Sequence, residues 1–166
     1  MINYTNIENS LKKFKGNTPF DHCIVDDFFE ASWAERLSNE FVDYQSDKWF
    51  VYSNPLEEKK ALNNWNTFPP STYEAFSMLQ SNKLVTKLSN AVGEELFVDP
   101  GLHGGGWHCH GTGGNLNPHL DYSIHPKLGL QRKLNIIIYL SKELMPKEHG
   151  GAPWFVAERY FNKPAR

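Results

Sequence analysis

His119-Leu120-Asp121 is the point in this chain where residue types and spacing could do chemistry. In an extended segment, residues i and i+2 point to one face, so the imidazole and the carboxylate would project together. Such a pair supplies two of the three ligands in the facial triad that holds non-haem Fe(II) and leaves positions open for substrates. Six of the seven histidines, namely His103, His108, His110, His119, His125 and His149, lie in the second two-thirds of the chain. Trp107-His108-Cys109-His110 invites a zinc reading, because imidazole and thiolate are good zinc donors. Adjacent donors on a strand alternate faces, however, and no second Cys/His pair stands at finger spacing. Gly104-Gly105-Gly106 lacks the Lys-Ser/Thr pair of a phosphate loop.

These residues need a scaffold, and the composition provides for one. Of 166 residues, 40% are hydrophobic and 22% charged, which predicts one globular domain. The formal charge of −2 gives no general pull on nucleic acid or anionic membrane, so neither is expected as a partner. Cys23 and Cys109 are too few and too far apart for a disulfide framework, which suits a reduced, cytoplasmic setting. No apolar run approaches the ~20 residues needed to span a bilayer. The N-terminal stretch lacks the apolar core of a signal peptide.

Taken in order, residues 7–14 predict a short helix or a loose arm. Residues 19–29 predict a strand with a β-branched centre. Ser32 is expected to cap a helix through Asp43, with Glu35 completing a capping box and Trp33, Leu37, Phe41 and Tyr44 forming its apolar stripe. Residues 49–52 read as a strand, and residues 54–65 as part turn and part helix. Ser71 or Thr72 would cap a helix carrying Tyr73, Phe76 and Leu79. A further helix spans Lys83 to Val92, stopped by Gly93 as a left-handed cap. From Leu102 onward, short apolar runs separated by Gly, Pro and Asn point to an antiparallel barrel or jelly roll. Within it, residues 116–122 carry the His-x-Asp pair, and residues 134–140 form an apolar run suited to a buried strand.

Gly113, Leu116, His119 and Asp121 are followed by Arg132-Lys133-Leu134-Asn135-Ile136-Ile137-Ile138-Tyr139-Leu140, and then by Gly150-Gly151. This ordered set resembles the prolyl 4-hydroxylase-like branch of the Fe(II)/2-oxoglutarate-dependent oxygenases. The resemblance covers the chain from about Pro19 to Gly151 and is sharpest from His110 to Leu140. It implies an α+β, mainly β fold: a double-stranded β-helix (jelly-roll, cupin-like) with N-terminal supporting helices. Residues 1–95 would supply the first strand and helices, and residues 96–166 a partial jelly-roll core within the same domain. The implied metal ligands are His119 and Asp121, with Fe(II) as the metal and 2-oxoglutarate as co-substrate. His110 stands where the family often carries a tyrosine that hydrogen-bonds the keto acid. Asn135 and Tyr139 share a face with Ile137 and would line the same pocket. Arg132 is expected to pair with a carboxylate near its mouth.

After Gly151 the pattern departs from the family. Its distal histidine ligand and the basic residue that grips 2-oxoglutarate have no match, and Pro153 breaks the expected strand. The expectation is therefore a dioxygenase of hydroxylase type whose last strands are missing and whose turnover is impaired. Open sheet edges would then favour a homodimer. The alternatives are a non-catalytic binding or assembly module on the same scaffold, and a cupin-like metal protein using His108, His110 and His119.

Overall fold

The computed structural model describes residues 1–117 and 119–140. They form a mixed α/β arrangement of four helices and one three-stranded antiparallel sheet. The predicted α+β character is present, but the described strands make one small sheet and not two stacked ones.

Helix α1 (Tyr4–Leu11) begins where the Asn3 side chain accepts the Asn6 N–H, three residues ahead of the predicted start. Helix α2 (Ala31–Asn39) has Glu30 at its cap position and no side-chain cap, contrary to the expected Ser32 capping box. Its start is set by tertiary pairing instead. Ile2 bridges Phe29, and the Glu30 N–H donates to the Met1 carbonyl at 2.8 Å. The rest of the expected first strand is irregular, with Ile24 77% exposed and Asp27 at φ 51°. Its β-branched centre joins no sheet among the described residues.

The β1 (Phe50–Asn54) and β2 (Glu57–Leu62) strands form a hairpin. Residues 54–65, expected as part turn and part helix, instead hold a tight turn at Asn54 and strand β2. The Asn54 side chain accepts the N–H groups of Leu56 and Glu57, reversing the chain in an Asx-turn. The Glu/Lys run then alternates along the pleat, so Glu57 and Lys59 share a face and pair at 2.9 Å. Lys60 reaches the Tyr44 carbonyl at 2.6 Å.

Helix α3 (Pro70–Leu79) opens with proline, whose missing N–H costs nothing in a first turn. Ser71 and Thr72 are fully buried within that turn and do not cap it. Ser71 accepts from Arg36, and the Thr72 N–H donates to Glu40, which stitches α3 to the end of α2. Helix α4 (Asn82–Val92) ends on Gly93 at φ 86°, as the sequence predicts.

Strand β3 (Trp107–Cys109) pairs with β2. Gly106, at φ 94°, lies so close to the Leu62 carbonyl that a Cβ would collide with it. One core gathers Ile2, Ile7, Phe29, Trp33, Leu37, Ala75 and Leu84 between the helices. A second gathers Val42, Trp49 and Leu62 under the sheet. Trp107 packs on both, meeting Phe41 at 5.2 Å and Phe76 at 5.9 Å between ring centroids.

Residues 134–140 have no ladder partner among the described residues, so the predicted buried strand is not formed there. Alternation holds only towards the end of the run: Ile138 and Leu140 pack against the helical core, while Asn135, Ile136, Ile137 and Tyr139 are exposed. The Gly-Gly turn, His149 and everything after them lie outside the described residues.

Candidate metal centre

Two hairpins bring the site together. The first is β1–β2, whose turn holds the segment leading into the His-x-Asp pair. The Glu58 N–H donates to the Asn115 carbonyl at 2.8 Å, and the Asn117 N–H donates to the Leu56 carbonyl at 2.9 Å. The Asn117 side chain donates to the Pro55 carbonyl at 3.2 Å. So fixed, the Asn117 carbonyl lies 2.8 Å from His119 Nδ1. A carbonyl only accepts, so Nδ1 carries the proton. In the neutral ring that leaves the Nε2 lone pair free, the tautomer that binding a metal through Nε2 requires.

That lone pair faces Asp121. His119 Nε2 and Asp121 Oδ1 are 3.5 Å apart, with the side chains 50% and 45% exposed. Two electron-rich atoms at this distance are reconciled by a cation between them, either a proton or a metal ion. Asp121 Oδ2 points the other way, 3.1 Å from Arg132 Nη2 and accepting from Asn135 Nδ2 at 3.3 Å. Arg132 also donates to Asn135 Oδ1. The carboxylate is thus divided: one oxygen is held by the protein, and the other is presented beside the imidazole.

The second hairpin, residues 123–132, delivers Arg132. Ile124 bridges Gln131, the Arg132 N–H donates to the Ser123 carbonyl at 2.8 Å, and the His125 N–H donates to the Leu130 carbonyl at 2.7 Å. Gly129, at φ 66°, turns the chain. The Arg132 guanidinium lies 4.8 Å from the centre of the Tyr122 ring, whose hydroxyl donates to the His103 carbonyl at 3.0 Å. His125 is 7% exposed; its Nδ1 accepts the N–H groups of Lys127 and Leu128, and its Nε2 lies 3.3 Å from Asp99 Oδ2. That second contact lacks hydrogen-bond alignment.

Of the residues singled out from sequence, His119, Asp121 and Asn135 come together. Asn135 touches Asp121 directly, donating from Nδ2 to the carboxylate. His110 follows β3 on an exposed stretch, and no hydrogen bond or ion pair joins it to His119 or Asp121 among the described residues. Tyr139 lies further along, 63% exposed. Within β3, Cys109 packs on the core under the sheet, while His108 is exposed and approaches the Gly105 carbonyl at 3.3 Å. Burial pushes the Cys109 thiol up, which disfavours the thiolate that zinc would need. Among the described residues, no three of His, Cys, Asp and Glu converge as a ligand set, including His108, His110 and His119. Asp99 and Tyr122 were given no role from sequence, and His125, whose place just past the pair suggests contact with substrate or solvent, is buried instead. The one sequence signal was His125 before Pro126 and ahead of Gly129, a turn composition containing a hydrogen-bond acceptor.

The chain matches no family model, no curated protein and no solved structure. No helix among the described residues is long and apolar enough to cross a membrane.

Proposed function

We propose that the chain is an Fe(II)- and 2-oxoglutarate-dependent oxygenase of hydroxylase type, with His119 and Asp121 as metal ligands. The observation that carries the reading is the placement of the His119 ring: Nδ1 lies 2.8 Å from the Asn117 carbonyl, and Nε2 faces a carboxylate oxygen of Asp121 across 3.5 Å. The donor set, one imidazole and one carboxylate, suits a borderline divalent ion. When bound, Fe(II) would supply the oxidative chemistry that couples decarboxylation of 2-oxoglutarate to hydroxylation of a C–H bond. The protein residues hold and orient: Asn117 fixes the imidazole, and Arg132 with Asn135 keeps Asp121 from closing on the ion with both oxygens. Solvent reaches both ligands, and the open side is where co-substrate and substrate would approach. His110 and Tyr139 are proposed to line that approach.

The test is an anaerobic Fe(II) titration followed by 2-oxoglutarate, watching for the visible charge-transfer band of the chelate. The band is expected in the parent protein and lost in His119→Ala and Asp121→Ala. A band that survives both substitutions would remove the assignment.

A second reading, a non-catalytic assembly module, is favoured by one observation. Among the described residues, strand β1 is an edge strand carrying Phe50 and Val51, 63% and 55% exposed. An edge of that kind invites pairing with a second copy of the chain. A dimer that binds neither metal nor 2-oxoglutarate would select this reading.

A further inference from the structure

We propose that His125 is the positioning residue of the centre, acting as a fixed acceptor that closes the 123–132 hairpin and so sets Arg132 and Asn135 on Asp121. The proposal rests on the metal-site reading above for its consequence at the ion, but its structural half stands on hydrogen bonds alone.

His125 is the most buried of the described histidines, and its ring is used at both ends. Nδ1 accepts two backbone N–H groups, from Lys127 at 3.1 Å and Leu128 at 3.0 Å. An atom accepting two donors carries no proton of its own, so the ring is neutral with its hydrogen on Nε2. That nitrogen is buried and turned toward Asp99, 3.3 Å away, without a well-aligned bond. Asp99 is itself engaged by the N–H groups of Gly101 and His103. The His103 and Tyr122 rings pack against His125 at centroid distances of 5.2 and 5.9 Å.

The connection to the centre is short. With Lys127 and Leu128 tied to the ring, the turn is rigid and Gln131 falls opposite Ile124. The next residue, Arg132, then lies over Tyr122 with Nη2 3.1 Å from Asp121 Oδ2. Without the acceptor, two partly buried N–H groups lose their partner and the turn loses its staple. Arg132 and Asn135 would then hold Asp121 loosely. Partners of this outer kind are worth about tenfold to a hundredfold in metal affinity.

Three substitutions separate this role from mere bulk. In His125→Asn, the side-chain oxygen sits the same number of bonds from Cα as Nδ1, and asparagine is a natural acceptor for N–H groups two residues on. In His125→Gln, the polar end reaches toward Asp99 and misses the turn. His125→Leu fills the space and accepts nothing. Each would be measured for Co(II) affinity without co-substrate, and for hydrogen exchange at the Lys127 and Leu128 amides and at Arg132 Nε–H by NMR. His125→Asn is expected within about threefold of the parent in Co(II) affinity, with slow exchange. The Gln and Leu variants are expected to bind about tenfold or more weakly, with fast exchange at all three sites. Rescue by Gln in place of Asn would overturn the proposal, because the role would then run through Asp99. So would fast amide exchange with Co(II) affinity unchanged. If the parent binds no Co(II), the metal-site reading falls by itself and Arg132 Nε–H decides. Protection in the parent and Asn variant, lost in Gln and Leu, supports the staple; equal exchange in all four refutes it.

Discussion

His108 shows how one side chain can tie this fold to pH. Part of its ring is open to solvent, yet the surrounding protein strips enough water to hold it below the ordinary imidazole value, and the nearby Lys59 charge adds to this. The folded chain therefore prefers the neutral ring, and between the folded and ordinary values the unfolded chain binds the extra proton. That stabilisation is whole above the ordinary value, about 6.5, and is lost as pH falls through the folded one. His108→Gln is expected to flatten the acid side of a plot of urea midpoint against pH. Parallel curves for the two proteins would show that His108 takes no part. The same scale separates what could be read from what could not at the centre. That His119 and Asp121 meet was legible because a two-residue spacing puts both on one face of extended backbone. Asp99 and His125 were not, because their meeting depends on loops that no periodicity describes.

Among elements, the sheet depends on a contact that no side chain makes. Gly106 lies against the Leu62 carbonyl with φ at 94°, while Gly113, at φ 82°, has nothing within 4 Å of where a Cβ would stand. Alanine at either position incurs the left-handed penalty of about 1–2 kcal/mol. Gly106→Ala must also push β3 away from β2. It is expected to lower the unfolding free energy clearly more than Gly113→Ala in denaturant titrations, and equal losses would contradict the packing described. Legibility at this scale followed the source of each element's stability. Helix α4 was foreseen almost to its ends because Gly93 marks its own stop locally. Helix α2 was misplaced because residues 1–3 pair with residues 28–30 and set its start from outside. Strand β2 was missed because Glu57-Glu58-Lys59-Lys60 has no apolar alternation, and its order comes from Asn54 and from pairing on both sides.

In the whole molecule, two cores share Trp107, and the sheet ends at β1 with an edge unpaired among the described residues. A lysine on an edge strand discourages addition of another strand. If β1 pairs with a second copy, Val51→Lys is expected to convert a dimer to monomer in sedimentation velocity. A parent protein that sediments as a monomer at high concentration would rule that interface out. The sequence pointed to open edges through its resemblance to a larger barrel, but composition alone could not say which strand would be exposed.

Asn117 meets the Pro55 carbonyl across 62 positions of sequence, whereas the backbone bonds inside the helices span four. Near contacts close quickly and distant ones slowly, because a long loop must be closed before its contacts form. The order of synthesis points the same way, since the β1–β2 turn is made well before Asn117. Until the two meet, the His119 imidazole has no carbonyl beside Nδ1 to hold its proton there, and both tautomers are open to it. On the proposed reading, a metal ion present from the start would find no prepared site in the young chain, and its capture would report that the two ends of that loop have met.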